Sequence, residues 1–317
     1  MGKIAFVFPG QGSQTVGMGQ DLYQNHPAAK SYFDRADEAL GFSLSDLIFQ
    51  GPEDTLKITY HTQPALLTTS MACLEVFKAA GVTPDYVAGH SLGEYSALVA
   101  AGVLAFEDAV RTVRARGEFM EQAVPGGLGA MAAVLGAERE ALAELCKAIT
   151  SGGSVVELAN VNCPGQIVVS GSKEGVAAVV ERCKEAGAKR AIPLEVSGPF
   201  HSSLMKPASQ RLAEVLASVE MSEAAVPVVA NVTARPVTQP GEIRGLLVEQ
   251  VYSPVLWEDT VSYLTGQGVD TFIELGSGTV LAGLIKKVDK SVKIVSIGSL
   301  EVLNKYLQEV VHEHANG

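Results

Sequence analysis

Three features of the sequence predict an α/β protein with a mainly parallel sheet and a smaller inserted α+β domain. Short β-rich runs alternate with helical patterns from the start, an order that lays helices on the faces of a parallel sheet. After Pro125-Gly126-Gly127 the rhythm changes to β-α-β-β-α-β, that of a split-βαβ, ferredoxin-like unit. The chain has 317 residues, 47% of them hydrophobic, enough for a large core and an insertion. The domains follow as 1–125 joined to 199–317, discontinuous, and 126–198 between them.

Ile4 to Phe8 reads as a buried strand ended by Pro9 and Gly10, and Leu66 to Ala80 as a helix stopped by Gly81 and Pro84. Tyr86 to Gly89 is a short strand running directly into another helix. A helix over Phe106–Val124 precedes the insertion. Inside the insertion the expected order is strand Leu128–Leu135, helix Glu138–Ile149, strands Val155–Ala159 and Gln166–Ser170, helix Lys173–Ala186 and strand Ala191–Val196.

Lys and Arg number 24 against 35 Asp and Glu, a net charge of −11. That balance argues against nucleic acid or an anionic membrane as the main partner. No apolar run is long enough to span a bilayer, and the first residues lack the pattern of a signal peptide. A cytoplasmic protein, expected to be monomeric, is the default. Cys73, Cys146, Cys163 and Cys183 form no CxxC pair or metal-like cluster, so reduced, buried thiols and no metal are expected.

Gly89-His90-Ser91-Leu92-Gly93 is a G-x-S-x-G sequence between a strand and a helix, which is the context the motif requires. It makes the larger domain α/β-hydrolase-like and Ser91 a candidate nucleophile, against the plain alternative of a serine in an ordinary turn. A nucleophilic serine needs a base and an oxyanion site. His90 points away from its neighbour. His26 and His61 sit in early loops, and His312 and His314 in a polar tail. His201 lies where the insertion rejoins the large domain, a place suited to a catalytic residue. Asp108 is the only aspartate between Ser91 and His201, in a charged helix start, so a dyad is expected, with a carbonyl fixing the histidine tautomer. The Leu92 N–H is one oxyanion donor; the Pro9–Gln14 loop offers the other at the Gln11 N–H. That loop lacks the Lys-Ser/Thr ending of a phosphate loop.

In the helix after the elbow, Ala109, Val113, Arg116, Met120 and Ala123 share one face; Glu107, Arg111, Arg114, Glu118 and Glu121 share the other. Arg116 is the one charge on the inward face and needs an anionic partner. An internal salt bridge would satisfy it. So would a carboxylated acyl group held bidentately.

With these residues assembled, the chain resembles the bacterial malonyl-CoA:acyl carrier protein transacylases. The likeness runs through Phe8–Gln14 (FPGQGSQ), Thr62–Leu66, Gly89–Leu98 (GHSLGEYSAL), Arg116–Met120, Ala159–Gly171, Ser197–Ser202 (SGPFHS) and Glu274–Leu281. The resemblance implies a malonyl group carried on Ser91, His201 as base, Arg116 on the malonyl carboxylate, and the Gln250 main-chain carbonyl orienting His201. Gln63, Asn160, Asn162, Ser197 and Phe200 would line the pocket, and Leu92 with Phe200 would go with malonyl over methylmalonyl. Glu121-Gln122 reverses the order of some relatives. Malonyl-CoA and acyl carrier protein are the implied partners, with no cofactor. Lys189, Arg190, Lys206, Lys286 and Lys287 are the candidates for docking the acidic carrier protein. A serine hydrolase or thioesterase is the alternative, but it leaves Arg116 unexplained; a non-catalytic scaffold leaves both Ser91 and His201 unexplained.

Overall fold

β1 (Lys3–Phe8) lies inside a six-stranded sheet because its residues alternate between two cores. Phe6 and Phe8 point into one and Ala5 and Val7 into the other, as a sheet covered on both faces demands. The computed structural model describes residues 2–315. The remaining strands are β2 (Tyr86–Gly89), β3 (Gly129–Leu135), β4 (Val156–Cys163), β5 (Gln166–Ser172), β6 (Arg190–Pro193), β7 (Val228–Val229), β8 (Pro236–Val237), β9 (Val255–Leu256), β10 (Val269–Leu275) and β11 (Lys293–Ile297). The first sheet has the order β11-β10-β1-β2-β7-β8, parallel throughout except for β8.

The second sheet has the order β6-β3-β5-β4-β9. Each of its first four strands runs antiparallel to its neighbours among them, and the helices Arg139–Ser151 and Lys173–Arg182 supply a separate apolar core. This sheet is not confined to 126–198: Val255–Leu256 adds parallel to β4. The molecule is thus a mixed α/β fold with two sheets.

Five local expectations are corrected. β4 runs on to Cys163 instead of ending at Ala159, with register shifts between Leu158 and Asn160 and between Val161 and Cys163. The bulges break the apolar alternation that a strand is read by. β6 stops at Pro193. The helix expected from Leu66 starts at Thr59 and contains Pro64. Proline leaves the carbonyl four residues back without its helical donor. That carbonyl, of Tyr60, accepts instead from Arg114 Nη1 at 3.1 Å. Arg114 therefore leaves the solvated stripe assigned to it and packs over the Tyr60 ring, its guanidinium 4.6 Å from the centroid. His61, placed by the sequence in a loop, lies in this helix, and its Nδ1 accepts from Arg114 Nη1 at 2.9 Å. The readings of His312 and His314 concern side chains outside the described residues.

All four cysteines are buried and unpaired. No helix among the described residues is long and apolar enough to cross a membrane.

Candidate active site

Gly89 closes β2 and Leu92 opens the helix Leu92–Ala100, so His90 and Ser91 alone make the turn. Ser91 has φ 51° and ψ −108°, a conformation that L residues rarely adopt. The turn is this tight because strand and helix touch. A Cβ on Gly93 would fall 2.1 Å from the main-chain oxygen of Phe8. In the loop after β1, a Cβ on Gly10 would fall 2.3 Å from the His90 carbonyl oxygen, so that loop lies directly on the elbow. Gly93→Ala is expected to cost about 3 kcal/mol or to prevent folding, since main chain stands on both sides of the clash. Gly283→Ala, in the helix Val280–Val288 with nothing within 4 Å, should instead stabilise by roughly 0.5–1 kcal/mol. Urea denaturation of both variants checks the contrast, and equal effects would contradict it.

His201, only 4% exposed, reaches Ser91 Oγ with Nε2 at 2.7 Å. Its Nδ1 lies 2.8 Å from the Gln250 carbonyl oxygen. A carbonyl can only accept, so Nδ1 carries the proton, Nε2 is bare, and the Ser91 hydroxyl donates to it. Burial, and next the charge of Arg116, push the His201 pKa down to about 3. The imidazole is therefore a neutral acceptor across the ordinary pH range. Asp108 stays near the surface, with Arg111 3.5 Å away.

Arg116, 1% exposed, enters from the helix Phe106–Gln122. Nη1 donates to Gln63 Oε1 at 2.7 Å. Nη2 donates to Gln250 Oε1 at 2.9 Å and to Ser91 Oγ at 3.1 Å. Its Nε has no partner, and the ring of Tyr95 lies 5.5 Å from the guanidinium carbon. None of the ion pairs among the described residues involves it. The internal salt bridge that would have satisfied this arginine is not there. Burial lowers its pKa.

A cavity of about 140 Å³ opens over Ser91 and His201, lined also by Gln11, Asn160, Phe200 and Met120. Two larger clefts adjoin it. One, of about 540 Å³, reaches His201 past Tyr252 and Lys147; the other, of about 480 Å³, shares Gln11 with the central cavity. Leu92 is the first residue of its helix, where an N–H has no intrahelical acceptor. Of the residues expected in the pocket, Asn160 and Phe200 line it. Ser197 lines the adjoining cleft and donates to Glu121 Oε2 at 2.6 Å. Gln63 stands behind Arg116, and Asn162 Oδ1 accepts from His90 Nε2 at 2.8 Å.

Two site residues escaped the sequence reading. Asn231, fully buried, accepts from the Ser91 N–H at 2.8 Å and donates to the Gly89 carbonyl at 2.7 Å, tying the elbow shut. Glu94, 3% exposed, accepts from Gln250 Nε2 at 2.6 Å. An Asn in a loop carries no signal of its own, and Glu94 reads as the ordinary acidic residue of a helix first turn.

The five basic residues expected to face a carrier protein are all exposed, but they line none of the three cavities around Ser91. Lys286 Nζ turns back onto the carbonyls of Lys290 and Val292. Lys206 Nζ lies 5.8 Å from the centre of the Tyr252 ring at the mouth of one cleft. Lys189 packs against Gly136, and Arg190 opens β6. Among the described residues no group of three or more His, Cys, Asp or Glu side chains is placed to hold a metal ion.

Residues 5–311 match the model of the acyl transferase domain family. The chain is 56% identical to a malonyl CoA-acyl carrier protein transacylase of Bacillus subtilis over 316 residues, covering 100% of both chains. An acyl carrier protein S-malonyltransferase of Vibrio cholerae superposes with a TM-score of 0.93 at 46% identity, over 96% of this chain and 99% of that one. A malonyl-transacylase solved in complex with a type II polyketide acyl-carrier protein superposes equally well, TM-score 0.93 at 44% identity, over 97% and 99%. A strained serine, a neutral histidine and a buried arginine thus stand in a chain that belongs to the malonyl CoA-acyl carrier protein transacylases.

Proposed function

We propose that the chain transfers a malonyl group from malonyl-CoA to the phosphopantetheine thiol of acyl carrier protein in fatty-acid synthesis, by a ping-pong route through Ser91. One observation carries the reading: a buried guanidinium that makes no direct ion pair donates to the nucleophile's own oxygen at 3.1 Å. A cation so placed favours an acyl group that brings its own carboxylate, which Arg116 can hold by its fork.

In the loading half-reaction His201 Nε2 takes the Ser91 proton as Oγ attacks the thioester carbonyl. The tetrahedral oxyanion forms between the N–H groups of Gln11 and Leu92, and collapses to the malonyl-serine ester as the coenzyme A thiolate leaves and takes up the proton from His201. In the second half the carrier thiol gives its proton to His201 and attacks the ester, and Ser91 leaves with that proton. The Gln250 carbonyl holds the tautomer through both halves. The ring of Phe200 beside the substrate's α-carbon leaves little room for a branching methyl. No cofactor enters either half. The site lies between an α/β-hydrolase-like part, 1–125 with 199–317, and a ferredoxin-like part, 126–198, in a protein acting as a cytoplasmic monomer. Docking of the carrier protein is assigned to Lys206 beside the His201 cleft, with Lys189, Arg190, Lys286 and Lys287 as outlying positive charge.

The acceptor separates this reading from a hydrolase. Malonyl-loaded enzyme should discharge onto holo acyl carrier protein far faster than it releases malonate. Release of malonate at a rate that carrier protein does not change would make water the acceptor.

A further inference from the structure

We infer that Glu94 is a positioning residue that fixes the Gln250 carboxamide with its oxygen toward Arg116, and so aims the guanidinium at the carboxylated acyl group. The inference rests on the malonyl reading above and adds to it the device that holds the arginine in place.

The amide of Gln250 has two faces and could be turned either way. On one side stand three acceptors: Glu94 Oε2 at 2.6 Å, the Ser91 carbonyl at 3.0 Å and Asn231 Oδ1 at 3.2 Å. On the other side Arg116 Nη2 donates to Oε1 at 2.9 Å. Turning the amide over would set its oxygen against three acceptors and its NH2 against a guanidinium. Glu94 is the nearest of the three and the only carboxylate, so it dominates the choice. The main-chain carbonyl of Gln250 holds His201, but that contact is made by the backbone at the end of the helix Pro240–Gln250 and does not depend on how the side chain is turned. Base and arginine are therefore set by different parts of Gln250, and only the arginine answers to Glu94.

Burial also pushes the Glu94 carboxyl up to about 7, while its bonds to Gln250 and Asn231 and the charge of Arg116 hold it from rising further. The charged and titratable groups around it are Arg116 from the neighbouring helix and Tyr95 on its own; Gln250 and Asn231, which touch it from two other segments, are neutral. Above pH about 7 the carboxylate accepts; below it a proton weakens that acceptance. His201, at about 3, does not titrate in this window.

The test compares malonyl with acetyl loading of Ser91 in Glu94→Met, which fills the space without accepting, and in Glu94→Gln, which still offers an oxygen. In the methionine variant the malonyl-to-acetyl ratio of kcat/KM should fall about tenfold, the loss of one charge-assisted hydrogen bond, through the malonyl KM. Acetyl loading should stay near wild type, and the glutamine variant, a neutral acceptor, should keep a ratio between those of wild type and methionine. A methionine variant with the wild-type ratio, or a glutamine variant as impaired as methionine, overturns the role of Glu94. Wild-type enzyme that fails to load malonyl at all would instead overturn the malonyl reading. If the methionine variant does not fold, judged by circular dichroism, the pH profile decides. The wild-type ratio should drop below pH about 7 while that of Glu94→Gln stays level; parallel profiles overturn the proposal.

Discussion

An Arg116→Ala variant is expected to load malonyl from malonyl-CoA at least about a hundredfold more slowly while loading acetyl as well as, or better than, the parent. The size follows from removing one member of a buried charge pair, which costs about 3–5 kcal/mol because the other charge is left desolvated. The direction for acetyl follows from geometry. Arg116 Nη2 donates to Ser91 Oγ at 3.1 Å, and a donated proton lowers the nucleophilicity of that oxygen. An acyl group without a carboxylate gains nothing from the cation and still meets its pull on the serine. Steady-state kinetics with both thioesters measures the split. Equal losses on both would make Arg116 a structural residue, and the hydrolase reading would no longer have to explain it.

His201→Ala should slow loading of either acyl group about a thousandfold, the usual worth of a positioned base. In the parent enzyme the pH profile carries a second expectation. With His201 held at about 3 by burial and by Arg116, the base remains unprotonated well below the ordinary imidazole range. Acetyl loading, which does not draw on Glu94, should then show no fall near pH 6.5. Stability behaves differently. The unfolded chain takes up a proton on this histidine below about pH 6.5 and the native protein does not, so native stability from this group declines as pH falls from there toward 3. An acetyl-loading rate that halves near pH 6.5 while the protein stays folded would contradict the assigned environment.

Much of this site could be read in the sequence because its parts are local. The elbow needs a strand, two glycines and a helix within a few residues, and Tyr86–Gly89 with Leu92–Ala100 supply them. Arg116 betrayed itself as one charge in an apolar stripe, and the structure buries that stripe from Ala109 to Met120. What escaped was non-local. Asn231 and Glu94 acquire their places only when the loop after β7 and the helix Pro240–Gln250 close on the elbow. The two-residue strand β9 pairs with β4 across some ninety residues of chain, and no pattern of two residues can announce it. The helix read from Leu66 begins at Thr59 and runs through Pro64, where Arg114 supplies from a neighbouring helix the donor that proline lacks.

Glu121 illustrates a middle case. The sequence set the Glu121-Gln122 order against that of some relatives as a peripheral contact, without showing what either side chain touches. The carboxylate lines the cleft beside Gln11 and accepts from Ser197, while Gln122 Oε1 accepts from Arg211 Nη1 at 2.7 Å on the exposed side. The pair therefore bears on the approach to the site, not on the dyad.

The most direct measurement is the intact mass of the protein after brief exposure to malonyl-CoA, with acetyl-CoA as the paired control. The account predicts a single malonyl adduct on the parent enzyme, none on Ser91→Ala, and loss of the adduct on addition of holo acyl carrier protein. An adduct that persists in Ser91→Ala, or free coenzyme A accumulating with steady malonate and no adduct, would contradict it.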